Sequence, residues 1–239
     1  MRAGYHGACD EASVVWHCRV ATPARRPTRQ EVATPYRIVI SVRIALFGGT
    51  FDPVHYGHLR LAEEAREAAN LERVLFVPAN ASPFRLQEPL SAPHHRLQML
   101  RLAVADNPAF EVSELEIQRG GVSYTIDTVV AIRDQYPEAT LFLILGADAL
   151  QGFTQWRSPD AIARECSLLV GMRPNHNLQA VLEWLPEAIR QRVQPVAIPL
   201  LDISATDIRQ RVRTGRSIRY LTHPDVIQYI QQHRLYLEP

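Results

Sequence analysis

The sequence GGTFDPVHYGH, from Gly48 to His58, joins an apolar run to a helical pattern. The run before it, Arg43–Gly48, is short and ends in glycine, which is typical of a buried parallel strand. The pattern after it, residues 59–69, repeats apolar residues at helical spacing, and Asn70 is suited to end a helix. A strand, a glycine turn and a helix in this order indicate the first unit of an α/β fold.

Strands and helices alternate along the rest of the chain. Apolar runs predict strands at residues 74–77, 110–117, 141–146, 168–170 and 196–198, and helical periodicity predicts helices at residues 94–106, 126–135, 205–212 and 225–233. This alternation predicts a single-domain α/β fold, a Rossmann-like doubly wound parallel sheet with helices on both faces. Ligands on such a sheet bind at the carboxyl ends of the strands where strand order reverses, and the first strand ends at Gly48-Gly49.

Residues 1–42 differ in composition from the rest of the chain. Seven arginines lie between Arg2 and Arg43, and no apolar period persists for more than a few residues. Such a segment buries too little apolar surface to order itself, so we expect a disordered N-terminal extension before a domain at residues 43–237. An organelle transit peptide and a natural start near Val42 are alternatives for this segment.

Composition excludes several classes of protein. The 239 residues carry 26 basic and 25 acidic side chains, so the net charge of +1 gives no argument for nucleic acid or anionic lipid. No apolar run reaches the roughly 18 residues that a membrane span needs. Cys9, Cys18 and Cys166 form no CxxC pair. They therefore predict a reducing cytoplasm, with neither a disulfide framework nor a zinc site.

The glycine turn has the features of an anion site. Gly48 and Gly49 let a backbone approach a ligand closely, and the following helix directs its positive amino end to the same place. His55 and His58 are three residues apart and suit polyphosphate as hydrogen-bond donors, with Gly57 expected to leave room for a nucleotide. A chance surface pair or a packed core histidine is the alternative for an isolated HxGH. The turn matches neither the Walker A pattern nor GxGxxG, and no third metal ligand stands nearby.

GGTFDPVHYGH resembles the first signature of the HxGH nucleotidyltransferase superfamily. The second signature, ISSTxIR, is matched by Ile203–Arg209 with Ala205 in place of one serine. Intermediate segments resemble the bacterial nicotinate-nucleotide adenylyltransferase family, namely VPAN at 77–80, HRLQML at 95–100, SYTIDT at 123–128, GAD at 146–148, Trp156 and VIQYI at 226–230. The resemblance covers roughly residues 43–237.

This resemblance implies adenylyl transfer from ATP to nicotinate mononucleotide, giving nicotinate adenine dinucleotide and pyrophosphate in NAD biosynthesis. The acceptor phosphate attacks the α-phosphorus in line, so no protein nucleophile is needed. The resemblance implies catalytic roles for His55, His58 and Arg209. The implied ATP-binding residues are Gly48, Gly49, Thr50, Phe51, His55, His58, Gly146, Asp148, Ser204, Thr206, Ile208 and Arg209. Mg²⁺ is expected to accompany ATP, held by phosphates and water rather than by protein side chains.

The resemblance implies a second group of residues for nicotinate mononucleotide: Asn80, Arg85, Tyr124, Thr125 and Trp156. Trp156 offers a flat face to a pyridine ring, although packing is an equally common role for a tryptophan. Tyr124 and Thr125 precede a helix, where donors could hold the pyridine carboxylate. Arg85 stands in Pro83-Phe84-Arg85 where the family commonly has PPHK.

Other functions are weighed against this one. Within the superfamily the acceptor could be nicotinamide mononucleotide or phosphopantetheine, and SYTIDT with Trp156 argues against the latter. A non-catalytic nucleotide-binding regulator would bind ATP without releasing pyrophosphate. Five arginines between Arg209 and Arg219 could form an RNA-binding module, but a solvated helix face beside a phosphate site explains them more simply. We therefore expect small-molecule substrates, with no nucleic-acid or membrane partner.

Overall fold

The computed structural model describes residues 41–87, 90–172, 182–199 and 201–237. Six strands form one parallel sheet: β1 (Arg43–Gly49), β2 (Arg73–Pro78), β3 (Phe110–Val112), β4 (Thr140–Gly146), β5 (Cys166–Met172) and β6 (Val193–Ala197). Their order is β3-β2-β1-β4-β5-β6, and every adjacent pair runs parallel. Strand order reverses between β1 and β4, so the predicted Rossmann-like architecture is confirmed.

Helices connect and cover the strands. They are α1 (Tyr56–Ala68), α2 (Pro93–Val104), α3 (Leu115–Arg119), α4 (Thr125–Gln135), α5 (Ala147–Gln151), α6 (Pro159–Glu165), α7 (Glu187–Arg190), α8 (Ala205–Arg213) and α9 (Pro224–Gln232), with a 3₁₀ turn at Phe153–Gln155. No helix in the described part of the chain combines the length and the apolar character that crossing a bilayer demands.

The sheet has a buried core on each face. Ala45 and Phe47 of β1 belong to a cluster that includes residues of α1, α2, α8 and α9. Ile44 and Leu46, which alternate with them, belong to the opposite cluster, which includes residues of α4 and α6. Successive side chains of a strand point to opposite faces, so β1 is apolar throughout because both of its faces are buried.

The two residues before β1 are hydrogen-bonded to residues at the beginning of β4. The Ser41 hydroxyl donates to the Glu138 carbonyl at 2.7 Å, and the Val42 carbonyl accepts from the Thr140 amide at 2.9 Å. The rest of the extension, which we expect to be disordered, lies outside the described part of the chain. Cys9 and Cys18 also lie outside it. Cys166 is free and buried, and burial raises its pKa to about 12, so this thiol is a core residue.

The strand predicted at 110–117 is wrong beyond residue 112. β3 pairs with β2 only from Phe110 to Val112, and the chain then turns into α3. The turn buries Glu116, whose side chain is 6% exposed and accepts a hydrogen bond from Thr128. The weak apolar alternation of residues 110–117 does not indicate that Glu116 is buried and hydrogen-bonded to Thr128.

Short elements account for most other differences from the prediction. The helices α3, α5, α6 and α7 have four to seven residues, too few to establish a helical period. β6 begins at Val193, earlier than the predicted residue 196. The prediction starts too late because Pro195 interrupts the apolar pattern of a strand. Proline is tolerated there since β6 lies at the edge of the sheet and need not donate on its outer side.

Candidate active site

A cavity of about 510 Å³ opens at the carboxyl ends of β1 and β4, where strand order reverses. We call it the histidine cavity. Its walls include eleven of the residues predicted to bind ATP: Gly48, Gly49, Thr50, Phe51, His55, His58, Gly146, Asp148, Ser204, Thr206 and Arg209. Two stretches about 150 residues apart in sequence therefore meet around one space.

The two histidines form a stacked pair at the start of α1. Their ring centroids are 3.7 Å apart with an interplanar angle of 24°. The His55 amide donates to Nδ1 of His58 at 3.3 Å, so His58 covers the amide that precedes the helix, as the third helical residue of a capping box does. Because Nδ1 accepts this bond, the proton of a neutral His58 ring is assigned to Nε2.

Burial keeps both imidazoles neutral near pH 7. It lowers the pKa of His55 from its ordinary 6.5 to about 4. The pKa of His58 lies well below its ordinary value, first because of burial and then because of repulsion by His55 and by the Arg85 guanidinium. Nδ1 of His55 is buried without a hydrogen-bond partner among the described residues. This nitrogen lies next to Gly57, while the His55 residue lines the histidine cavity.

Aromatic packing fixes the turn before α1. Phe51 has a left-handed backbone, with φ of 50°, and its side chain is 2% exposed. Its ring meets that of His58 edge-on at 5.1 Å between centroids. A Cβ atom on Gly49 would lie 2.9 Å from the Phe51 ring, and one on Gly57 would lie 3.0 Å from Nδ1 of His55. Gly57 thus makes room for the His55 ring, and it also lines the histidine cavity, where a nucleotide was expected.

Arg209 projects from α8 to the glycine turn. Its Nη1 donates to the Asp52 carbonyl at 2.7 Å, and its Nη2 donates to the Thr206 hydroxyl at 3.3 Å. Ser204 caps α8, because its hydroxyl accepts from the Asp207 amide at 3.1 Å. These bonds hold the guanidinium at the wall of the histidine cavity.

Ile208 is placed differently from the prediction. It does not line the histidine cavity but is 0% exposed, in the core cluster on the α1 side of the sheet. The expected contact of Ile208 with ATP is therefore wrong, and Ile208 instead anchors α8 to the core. Residues adjacent in a helix are rotated by about 100°, which lets Arg209 face the cavity while Ile208 faces inward.

Two buried polar residues that the sequence analysis did not select support the turn. Arg96 is 1% exposed and donates to the carbonyls of Ser91 at 3.1 Å, Thr50 at 2.9 Å and Asn80 at 3.2 Å. Burial lowers its pKa from the ordinary arginine value. Asp52 is 3% exposed and accepts from the Ser91 amide at 2.9 Å. The motif HRLQML contains Arg96, but a basic residue in a helical pattern is usually at the surface.

A second cavity of about 470 Å³ adjoins the first. We call it the tryptophan cavity, since Trp156 lines it together with Tyr124 and Thr125, three of the residues predicted to bind the second substrate. The two cavities share wall residues, which are Phe47, Gly48, Gly49, Thr50, Gly146 and Ala149. Trp156 also packs against Phe153 and Phe84, with ring centroids 5.2 and 6.4 Å away.

Asn80 and Arg85 do not line the tryptophan cavity. The Asn80 side chain donates to the Gly121 carbonyl at 2.9 Å, and its backbone amide donates to the Ser123 hydroxyl at 3.0 Å. Asn80 thus supports the loop that precedes Tyr124. Arg85 lines the histidine cavity instead. The position of a residue in the sequence does not show which cavity its side chain lines, or whether it lines one at all.

The described residues contain no group of three or more His, Cys, Asp or Glu side chains arranged to hold a metal ion. Two carboxylates, Asp52 and Asp148, line the histidine cavity, and both oxygens of Asp52 already accept hydrogen bonds, from Ser91 and Tyr236. This donor set fits a cation that brings most of its own ligands.

Residues 46–211 match the family model described as cytidylyltransferase-like. A probable nicotinate-nucleotide adenylyltransferase of Roseiflexus sp. (strain RS-1) is 48% identical over 198 residues, covering 82% of this chain and 98% of the relative. One of Pelobacter propionicus is 44% identical over 217 residues, covering 82% of this chain and 99% of the relative.

A solved structure has the same fold. Plasmodium falciparum nicotinic acid mononucleotide adenylyltransferase complexed with NaAD superposes with a TM-score of 0.69 at 21% identity, covering 82% of this chain and 97% of that one. The same protein complexed with APC gives a TM-score of 0.67 at 20% identity, again with 82% and 97% coverage.

Proposed function

The chain belongs to the nicotinate-nucleotide adenylyltransferases, within the cytidylyltransferase-like nucleotidyltransferases, and from that membership we propose its reaction and the residues that perform it. An oxygen of the nicotinate mononucleotide phosphate forms a bond to the α-phosphorus of ATP. The bond from that phosphorus to the oxygen bridging to the β-phosphorus breaks, and pyrophosphate leaves. The observation that carries the proposal is that both signatures line one cavity, which shares a wall with a second.

ATP occupies the histidine cavity in this proposal. Its phosphates lie against Gly48-Gly49-Thr50 and the start of α1, where the positive helix end favours anions. Arg209 neutralises the β- and γ-phosphates, and its bonds to Asp52 and Thr206 reduce the entropy lost in positioning it. Arg85 adds positive potential from the same cavity wall.

His58 stabilises the leaving oxygen. Its neutral ring offers Nε2–H as a donor, because Nδ1 is engaged by the His55 amide. Negative charge grows on the bridging oxygen as its bond to the α-phosphorus breaks, and a fixed donor is worth most there. The triphosphate also favours protonation of the imidazoles, since nearby anions raise a histidine pKa. His55 is stacked against His58 and lines the same cavity, so it acts beside it on the phosphates.

Nicotinate mononucleotide occupies the tryptophan cavity, with its pyridine ring against Trp156 and near Tyr124 and Thr125. The shared wall brings its phosphate close to the α-phosphate of ATP. Positioning of this kind supplies much of the rate enhancement when no covalent intermediate forms.

Asp148 lines the histidine cavity and would be available to hold a water of Mg²⁺ bound to ATP, which would neutralise phosphate charge. We assign the whole reaction to residues 43–237, without a role for the preceding extension. We also propose a cytoplasmic location from the cysteine usage.

The test is pyrophosphate release by purified protein with ATP, Mg²⁺ and one acceptor at a time. We expect release with nicotinate mononucleotide and none with phosphopantetheine. His58→Asn is expected to lower kcat by about a hundredfold, the effect of losing one transition-state donor. Arg164→Gln, an exposed change on α6 outside both cavities, is the control. ATP binding without pyrophosphate release would instead identify a regulator.

A further inference from the structure

The tryptophan cavity contains one basic and one acidic side chain among its described wall residues, Arg157 and Glu116. The acid and amide forms of the pyridine nucleotide have nearly the same shape. They differ because the acid carries a carboxylate, whereas the amide is neutral at that position and can donate from its NH₂ group. A cation in the wall therefore favours the acid, and an accepting carboxylate favours the amide.

Glu116 is already engaged within the protein. Its Oε1 accepts from the Thr128 hydroxyl at 2.6 Å, and that hydroxyl oxygen in turn accepts from Nη2 of Arg119 at 3.2 Å. Glu116 is also 6% exposed. These bonds link α3 to α4, so the carboxylate has a structural role that accounts for its burial.

Arg157 is held at the amino end of α4. Its Cζ lies 4.8 Å from the centroid of the Tyr124 ring, and its Nη1 lies 3.4 Å from Oδ2 of Asp127. Tyr124 is the residue before the first turn of α4, and Asp127 is in that turn. The guanidinium therefore lies beside the positive amino end of α4, in the part of the cavity that Tyr124 and Thr125 line. The Asp127 contact is long and leaves other guanidinium donors for a ligand.

We propose that Arg157 is a specificity-determining residue that binds the pyridine carboxylate and selects the acid nucleotide over the amide. This inference rests on the proposed function of the tryptophan cavity. The Arg157 side chain is 57% exposed, so water and salt screen its charge and its effect on selectivity is moderate.

Two variants separate charge from packing. Arg157→Met keeps an unbranched side chain against Tyr124 but removes the charge, whereas Arg157→Lys keeps the charge and loses the planar fork. We expect Arg157→Met to lower the ratio of kcat/KM for acid over amide by about tenfold, mainly through a higher KM for the acid. Arg157→Lys is expected to retain most of the ratio, and added salt is expected to lower the ratio of the unaltered enzyme.

Controls decide between the two charged residues. Arg164→Met, exposed on α6 and outside the cavity, is expected to leave the ratio unchanged. Glu116→Gln is expected to lower catalysis with both nucleotides alike. An unchanged ratio in Arg157→Met, or a changed ratio in Glu116→Gln alone, would overturn the assignment of Arg157. Absence of turnover with either nucleotide in the unaltered protein would instead refute the proposed function.

Discussion

His55 and His58 show how burial sets the chemistry of single residues. Two imidazoles stacked at 3.7 Å repel each other when both are charged, and their burial removes the water that would stabilise the charges. In the ligand-free protein they are therefore neutral hydrogen-bonding groups. Under the proposed function the triphosphate adds negative charge beside both rings, so we expect ATP binding to raise their pKa values.

The lowered pKa of His55 predicts acid sensitivity of the fold. Below pH 6.5 the unfolded chain protonates this ring, whereas the folded chain does so only near pH 4. Stability is therefore constant above this window and falls as pH drops through it, by about 2 kcal/mol from pH 7 to pH 5 for this residue. Denaturant unfolding at both pH values measures the loss, which we expect to be smaller in His55→Asn. An equal loss in that variant would show that His55 does not cause it.

The sequence predicts residues of this site unevenly. The glycine turn and Arg209 are readily predicted because each belongs to a sequence signature with a fixed order of residues. In the first signature the glycines, the histidines and the helix start follow one another along the chain. Arg96 was not selected, since only the fold reveals that three carbonyls converge on its guanidinium. Ile208 and Asn80 were selected for the wrong contact, because a motif gives a position but not the direction of its side chain.

At the scale of elements, the first turn of α1 depends on close packing between Gly57 and the His55 ring. In Gly57→Ala the new methyl group would lie 3.0 Å from Nδ1 and 3.1 Å from Cε1 of His55, so the ring must shift. Alanine favours the helix, so we expect little loss of stability but about a tenfold loss of kcat, because misplacement of a catalytic group by a fraction of an ångström is costly. Steady-state kinetics and thermal melting measure the two effects.

Gly152→Ala is the matched control for Gly57→Ala. Gly152 follows α5, lines neither cavity and has a φ of −91°, and its nearest neighbour to an added Cβ is 4.0 Å away. We expect it to retain full activity. Equal kcat values for Gly57→Ala and Gly152→Ala would show that the close contact between Gly57 and the His55 ring does not affect catalysis.

Element prediction succeeds where packing and pattern agree. β1 and β4 are apolar because both faces are buried, and their ends define the site. α3 was predicted as strand because its stability depends on Glu116 and Thr128, which are 12 residues apart in sequence. The apolar pattern of residues 110–117 carries no information about Thr128, because Thr128 lies outside that segment.

At the scale of the whole molecule, the end of the chain braces the turn near its beginning. The Thr222 hydroxyl donates to the Val54 carbonyl at 2.8 Å, and the Tyr56 amide donates to the Leu221 carbonyl at 3.0 Å. Tyr236 donates to Oδ1 of Asp52 at 2.6 Å, across 184 residues of sequence. The residues that flank the last helix thus add to the contacts that hold the glycine turn.

Removal of the most distant of these bonds tests this dependence. In Tyr236→Phe, Asp52 loses a donor while it remains 3% exposed, which is expected to lower the free energy of unfolding by about 1–3 kcal/mol. Activity is expected to fall as well, because the carbonyl of Asp52 holds Arg209. Tyr220→Phe is the control, since Tyr220 is 86% exposed. If denaturant unfolding and kinetics gave the same values for both variants, the bond between Tyr236 and Asp52 would have no part in positioning the site. The bonds from Arg96, Arg209 and Thr222 would then be sufficient to hold the glycine turn.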